Sequence, residues 1–300
     1  MNEAVLKKCA KPMMLTAAII WGGAFVVMKN AIDTIPIHYL LAMRFLGGAL
    51  LLSLVFFKKW KTVTWGDVWR GCVLGTLLFI AFDIQTFGLM TTTPSKNSFL
   101  TAIYCVIVPF LHWLVAKERP DRYHLIAAFL CVTGVGLVAI NGSMTITVGD
   151  WLSLLCAFFY AAHMVAVNSL AEGHDVYLMT IFQFFSAGLL GLLGGLGFET
   201  APSLAVVTEA AIPLLYLIVL STAVALLCQN VGQVYCESPA TASMLLSTES
   251  VFGVLFSVMF YGDHLTGKMI CGFLLIFFAI VCSETKLSFL RRPSGCKQEE

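Results

Sequence analysis

Glu249 is a carboxylate in an unusual place. It sits near the middle of the stretch 237–263, ESPATASMLLSTESVFGVLFSVMFYGD, in which Ser238-Pro239 opens about twenty mostly apolar residues, enough to cross a bilayer as a helix. Ser243, Ser247 and Ser250 share its helical face at i, i+4, i+7 spacing. Ionisable groups inside a membrane are costly, so those a sequence keeps usually line a cavity or pair with one another. His163, in another apolar run, falls at a similar depth. Together they suggest a site that exchanges a proton or receives a substrate ammonium group, although Glu249 packed against a neighbouring helix and His163 as a satisfied core histidine are the plainer readings. A second pair lies higher. Counting about 1.5 Å per residue, Asp83 is roughly 18 Å from one face and Arg44 roughly 10 Å from the other, so they share a level. An ion pair between them, a snorkelling Arg44, or contact of either with a substrate are the open readings. Gln85 and Thr86 flank Asp83 on the same apolar run.

Aromatic residues form a second layer. Trp21, Tyr104 and Tyr160 fall near mid-depth, away from the interfaces where aromatic belts lie. Their faces suit organic or cationic solutes, and ordinary helix packing explains them equally well. Asn230, with Gln229 and Gln233, stands near one end of its segment, and Asn97 with Ser98 stands near the opposite end of another. These are candidate gates or simple helix caps.

The elements that must hold these residues are membrane helices. Charged residues make up 12% of the 300 and apolar ones 59%, against about 25% charge in a soluble domain. A net charge of +1 excludes a basic nucleic-acid binder. The ten cysteines are scattered without a C-x-x-C, which argues against a metal site or disulfide framework; no cofactor is expected. Ten apolar segments can be marked, at about 13–31, 37–57, 68–90, 96–116, 123–141, 149–170, 176–197, 210–232, 241–261 and 267–283. The first follows Lys7, Lys8 and Lys11 like a signal peptide but is too long for one, and reads as a retained helix. Lysines and arginines concentrate on one side: the N-terminus, Lys58 to Lys61, Arg70, Lys117 to Arg122, and the tail. Only Lys29, Lys96 and Lys268 fall on the other. The positive-inside rule then puts both termini in the cytoplasm. Residues 285–300 read as a disordered basic tail.

The chain also repeats itself. Pro94 aligns with Pro239, Ser98 with Ser243, Leu100 with Leu245 and Glu118 with Asp263; Trp21-Gly22 corresponds to Tyr160-Ala161, and Arg44-Phe45 to Gln183-Phe184. Two five-helix halves follow, 13–141 and 150–284. Five is odd, so the second half enters from the opposite face, and the fold class is an all-α membrane protein of ten transmembrane helices in two inverted repeats.

On these residues, with Thr248-Glu249 ahead of an apolar helix and the Glu118-Arg119 and Asp263 helix endings, the chain resembles the drug/metabolite transporter superfamily in its ten-helix EamA-type branch. The resemblance covers nearly the whole chain. It departs at Ser250, where the family often has proline, and at Asp263, where glutamate is usual. The resemblance implies a metabolite carrier with alternating access, its central cavity lined chiefly by the first, third, fourth, sixth, eighth and ninth segments.

Some lures are declined. Gly262 to Lys268 fits G-x-x-x-x-G-K, but Met269 follows and a membrane helix precedes, so it is not a P-loop. The G-x-x-x-G spacings at Gly71–Gly75 and Gly191–Gly195 suit packing within the bundle. Asn141-Gly-Ser is a glycosylation sequon only on a eukaryotic secretory route. The expectation is therefore a secondary active transporter of a small organic metabolite, amino-acid-like or an amine, working as an exporter. It would sit in the plasma (inner) membrane of a bacterium. Its partners would be the lipid bilayer, the solute and protons, with no nucleic acid, and a monomer would suffice. The alternatives are an intramembrane enzyme, for which Ser247 and His163 are the only nucleophile and base at similar depth, and a non-transporting receptor or scaffold. No enzyme motif supports the first.

Overall fold

The computed structural model describes residues 3–117, 119–139, 147–236 and 239–285, and all regular structure among them is helical. Seven stretches are long and apolar enough to cross a membrane: Glu3–Ala31, Ile37–Val55, Trp65–Thr91, Pro94–Ala116, Val148–Leu170, Val176–Phe198 and Ala211–Tyr235. Shorter apolar helices occupy Leu125–Gly134, Leu245–Tyr261 and Gly267–Ala279. The molecule is an all-α, multi-pass membrane protein. Large apolar side chains such as Phe129, Leu193 and Leu196 face outward, as they must where the surrounding solvent is lipid.

The sequence states where several helices begin. Helix α1 is Glu3–Ala31, α2 is Ile37–Val55 and α3 is Trp65–Thr91. Thr64 and Asp67 form a reciprocal capping box at the start of α3, and Thr147 and Asp150 form another at the start of α7 (Val148–Leu170), each satisfying backbone N–H groups that a helix start leaves unpaired. Pro94 opens α4 (Pro94–Ala102), with the Thr93 hydroxyl accepting from Lys96 N; proline at this position loses no hydrogen bond. A turn at Ile103 separates α4 from α5 (Tyr104–Ala116). After α6 (Arg122–Ala139) and α7 comes α8 (Val176–Phe198), capped by Asp175. The short helices α9 (Leu204–Glu209) and α10 (Ala211–Leu215) lead into a π-helical stretch, Tyr216–Val224, and then α11 (Ala225–Tyr235). A turn at Thr248 separates α12 (Pro239–Ser247) from α13 (Glu249–Phe256), and α14 (Gly267–Thr285) follows.

Small residues set the packing distances. A Cβ on Gly75 of α3 would lie 2.3 Å from the Gln183 carbonyl of α8, and one on Gly191 of α8 would lie 2.9 Å from Ala42 N of α2. Both glycine pairs thus serve contacts inside the bundle, as their spacing predicted. Helix α2 packs on α8 and α6 on α14, while α3 packs on α7 much as α11 packs on α1.

Three differences from the expected segments have physical causes. Helix α1 starts ten residues early, because a helix carries Lys7, Lys8 and Lys11 readily beyond the lipid; Lys7 pairs with Glu3 at 2.9 Å on an exposed face. The segments at 96–116 and 241–261 are each broken in two. At the second break the Thr248 hydroxyl donates to the Leu245 carbonyl at 2.6 Å and Ser250 to that of Ser247 at 2.8 Å, local bonds that compete with the helical ladder. Glu118, Asn141, Ser238 and the tail 286–300 lie outside the described residues.

Candidate functional site

The two helix breaks place the site. The first residues after them, Tyr104 of α5 and Glu249 of α13, are buried, with the Tyr104 hydroxyl beside the Glu249 carboxyl. They face a cavity walled by α1, α2, α3, α4, α7, the π-helical stretch, α11 and α12. It encloses about 610 Å³ free of protein atoms, mouth included, but the centre of a water molecule fits in only about 50 Å³ of it. A narrow cleft results, with room for a few waters; an organic solute requires the helices to separate.

Its polar groups are held by specific bonds. Tyr160 OH donates to Gln85 Oε1 at 2.9 Å, and Gln85 Nε2 donates to Thr101 Oγ1 at 3.1 Å. That chain fixes the Gln85 amide between α7 and α4. Trp21 Nε1 donates to the Ser221 carbonyl at 3.0 Å. The same serine holds Arg44: Nη2 donates to Ser221 Oγ at 3.0 Å, and Nε to Thr222 Oγ1 at 3.0 Å. The π-helical turn is what presents these two hydroxyls, and wider turns of this kind recur at functional sites. The guanidinium lies 4.4 Å from the Phe82 ring centroid, a cation–π contact. Arg44 is 1% exposed, and no described carboxylate lies within ion-pair distance of it. A buried cation with spare N–H groups and no counter-ion is suited to an incoming anionic group.

The cavity therefore gathers Trp21, Arg44, Gln85, Tyr104, Tyr160 and Glu249 from the sequence candidates. Asn97 lines it too, its Nδ2 donating to Ser153 Oγ at 2.8 Å. The remaining candidates lie elsewhere. Of the open readings for Arg44 and Asp83, the ion pair does not form: Phe82 faces Arg44, and the next residue on a helix turns about 100° away. Asp83 instead sits 3.4 Å from His38 Nε2, outside the cavity lining. His163 is buried beside Gln183, with neither ring nitrogen within hydrogen-bonding geometry of a partner among the described residues. It is not brought to Glu249. Asn230 does not cap its helix; its Nδ2 donates to Thr180 Oγ1 and Gln183 Oε1, both at 3.0 Å, tying α11 to α8. Ser247 is buried but does not line the cavity. Gln229 does line it, as does Thr101. Sequence reasoning missed Ser221, Thr222 and Thr101; the adjacent hydroxyls Ser221-Thr222 inside an otherwise apolar run were the available signal. Among the described residues no cluster of His, Cys, Asp and Glu is placed to hold a metal ion.

A buried cavity with charged walls inside a membrane bundle fits a transporter, and comparison with known proteins agrees. The model of the EamA-like transporter family matches residues 10–140 and, a second time, residues 147–285. The chain belongs to the EamA-like transporter family, whose members are transporters rather than enzymes. It is 30% identical over 279 residues to an uncharacterized transporter of Archaeoglobus fulgidus, covering 93% of this chain and 87% of the relative. It is 22% identical to the uncharacterized transporter YoaV of Bacillus subtilis, covering 88% and 92%. A crystal structure 15% identical in sequence matches with a TM-score of 0.71 over 95% of this chain and 99% of that one, a likeness of fold.

Proposed function

We propose that the protein is a secondary active carrier of a small zwitterionic or amine metabolite, acting as an exporter in a bacterial plasma membrane. The observation that carries this reading is the coexistence of Glu249 and Arg44 in the walls of one cavity without an ion pair between them. An amino group suits the carboxylate, a carboxyl group suits the guanidinium, and Trp21, Tyr160 and Phe82 accept apolar parts. A neutral solute would leave both charges buried at a cost.

The seven long helices and three shorter ones would make ten spans, with both termini cytoplasmic, as halves 13–141 and 150–284 inserted oppositely. Several features support this. The family model matches once in each half. The breaks at Ile103 and Thr248 fall at equivalent positions, as do the left-handed residues Lys117 (φ 63°) and Gly262 (φ 77°). Exchanging the halves maps the α3–α7 contact onto α11–α1 and leaves α2–α8 and α6–α14 paired as before. Broken helices around a central site are a common carrier design, and rocking of one half against the other would open the site to each side in turn. Protonation of Glu249 is the proposed coupling step.

The test is flux in proteoliposomes across a panel of amino acids, amines and neutral sugars, with and without a pH gradient. The proposal expects saturable flux for amino acids or amines that a pH gradient drives. Flux confined to sugars, or none at all, sinks it.

A further inference from the structure

Outside the cavity, where α2 begins and α8 ends, three ionisable side chains from three parts of the chain converge. Glu199, the residue that closes α8, caps α2: its carboxylate accepts from His38 N at 3.0 and 3.1 Å and from Tyr39 N at 3.2 Å. Its Oε1 is also 2.8 Å from His38 Nδ1. A carboxylate here is favoured by the positive end of the α2 dipole. On the opposite edge of the ring, Nε2 is 3.4 Å from Asp83 Oδ1 of α3. Side-chain exposures of 14%, 15% and 23% for His38, Glu199 and Asp83 leave the group shielded yet reachable by water. Phe87 and Phe198 flank the ring with centroids at 5.5 and 6.4 Å, and Gly194 gives it room, since a Cβ there would come within 2.6 Å of it.

We propose that His38, Asp83 and Glu199 form a one-proton clasp that locks the end of α8 to α2 and α3 and releases it when the proton leaves. A neutral imidazole has one N–H and one lone pair. Donated to Glu199, that N–H leaves a lone pair facing the Asp83 carboxylate; donated to Asp83, it leaves Glu199 repelled. Only the imidazolium, or an equivalent proton on Asp83, satisfies both edges at once. Proton loss to water converts the imidazolium to imidazole and breaks one of the two contacts. The clasp needs that proton to hold both contacts, so it is kept at low pH and weakens as pH rises.

Several nearby charged and titratable groups on these and neighbouring helices are engaged elsewhere. Lys29 Nζ donates to the Leu89, Met90 and Thr92 carbonyls at the end of α3, and Lys96 pairs with Asp150 at 3.6 Å. Arg44 holds Ser221 and Thr222, and the Tyr216 hydroxyl donates to the Ile20 carbonyl. The Tyr39 phenol ring packs on Gly195. With the orientation proposed above, the clasp faces outward and would report external pH; the mechanism itself does not depend on transport.

The experiment is hydrogen–deuterium exchange of the full-length protein in nanodiscs, because the amides of His38 and Tyr39 are themselves the donors to Glu199. After correction for intrinsic rates, their protection in the wild type should fall about tenfold between about pH 6 and about pH 9. His38→Gln, which has no proton to lose, should show a flat profile, as should Asp83→Asn, whose amide accommodates the neutral ring. A flat wild-type profile overturns the clasp, as does an unchanged pH dependence in a folded His38→Gln protein. If that variant does not fold, the wild-type profile and Asp83→Asn decide. Absence of solute flux would sink the carrier reading and leave this result standing.

Discussion

Between Pro94 and Lys117, and again between Pro239 and Gly262, the chain runs through one series of events: a proline-led helix of nine residues, a break, a second helical piece, and a residue with positive φ. The order of backbone events is the same, apart from a π-helical end at Ser257–Tyr261 in the second, and the side chains are not. Beyond the first break stands a phenol, Tyr104; beyond the second stands a carboxylate, Glu249. Past the first left-handed residue, Lys117, come Glu118 and Arg119; past Gly262 comes Asp263, whose Oδ2 accepts from Ser257 Oγ at 2.7 Å and from Ser95 Oγ, joining the end of the second rod to the start of the first. Elsewhere Arg44 corresponds to Gln183 and Gly22 to Ala161. A duplicated scaffold can present one site to two sides, but a site with symmetric chemistry would hold two like charges at close range. Each half contributes one charge of opposite sign instead: Arg44 from the first and Glu249 from the second.

The largest expected effect comes from erasing the charge that sets the second rod apart. Glu249→Gln should lower gradient-driven flux at least about tenfold, about 1.4 kcal/mol, while the protein still folds, since the change is nearly isosteric. Proteoliposome uptake with and without a pH gradient reads it. Arg44→Gln gives the first half the residue the second half already carries. It should raise the half-saturation concentration of an amino-acid substrate about tenfold, with a smaller effect on an amine lacking a carboxyl group; equal effects on both would remove Arg44 from the site. Gly22→Ala imposes on α1 the methyl that α7 carries at Ala161. A Cβ there would lie 2.4 Å from that of Phe252, so a destabilisation of about 1–3 kcal/mol is expected, seen as a lower melting temperature in detergent.

What sequence reveals and hides follows the range of each interaction. The helical segments were legible because lipid demands apolar runs of a given length, and the twofold pattern because equivalent prolines and helix endings repeat at fixed offset. Trp21, Tyr160 and Glu249, singled out by counting depth, all line the cavity. Counting depth gives height but not direction around the helix, so it puts Asp83 level with Arg44 without showing that its neighbour Phe82 is the residue facing that way. The partner Asp83 does have, His38, lies at the start of α2, and Glu199 beyond it closes α8, positions that no depth count brings together. The breaks at Ile103 and Thr248 left little trace, since both residues are tolerated in helices. The π-helical turn that presents Ser221 and Thr222 to Arg44 depends on tertiary packing and has no local signature beyond the paired hydroxyls.

The smallest predicted effect is the most discriminating. Tyr104→Phe removes a buried hydroxyl that lies beside the Glu249 carboxyl without a well-formed hydrogen bond to it while keeping the ring 6.3 Å from that of Tyr160. Burying an unbonded hydroxyl is unfavourable, so the melting temperature should hold steady or rise slightly. If the phenol merely fills space, flux and its pH profile stay at wild-type values. Placed beside Glu249, however, the hydroxyl is positioned to hydrogen-bond the carboxylate when the rods shift. The expected outcome is therefore a reduction in flux of about twofold to fivefold, within the net worth of one such bond, with a displaced pH profile that Glu249→Gln abolishes. A shift that survives in the double variant would separate Tyr104 from Glu249 and make the first rod a spacer rather than half of the site.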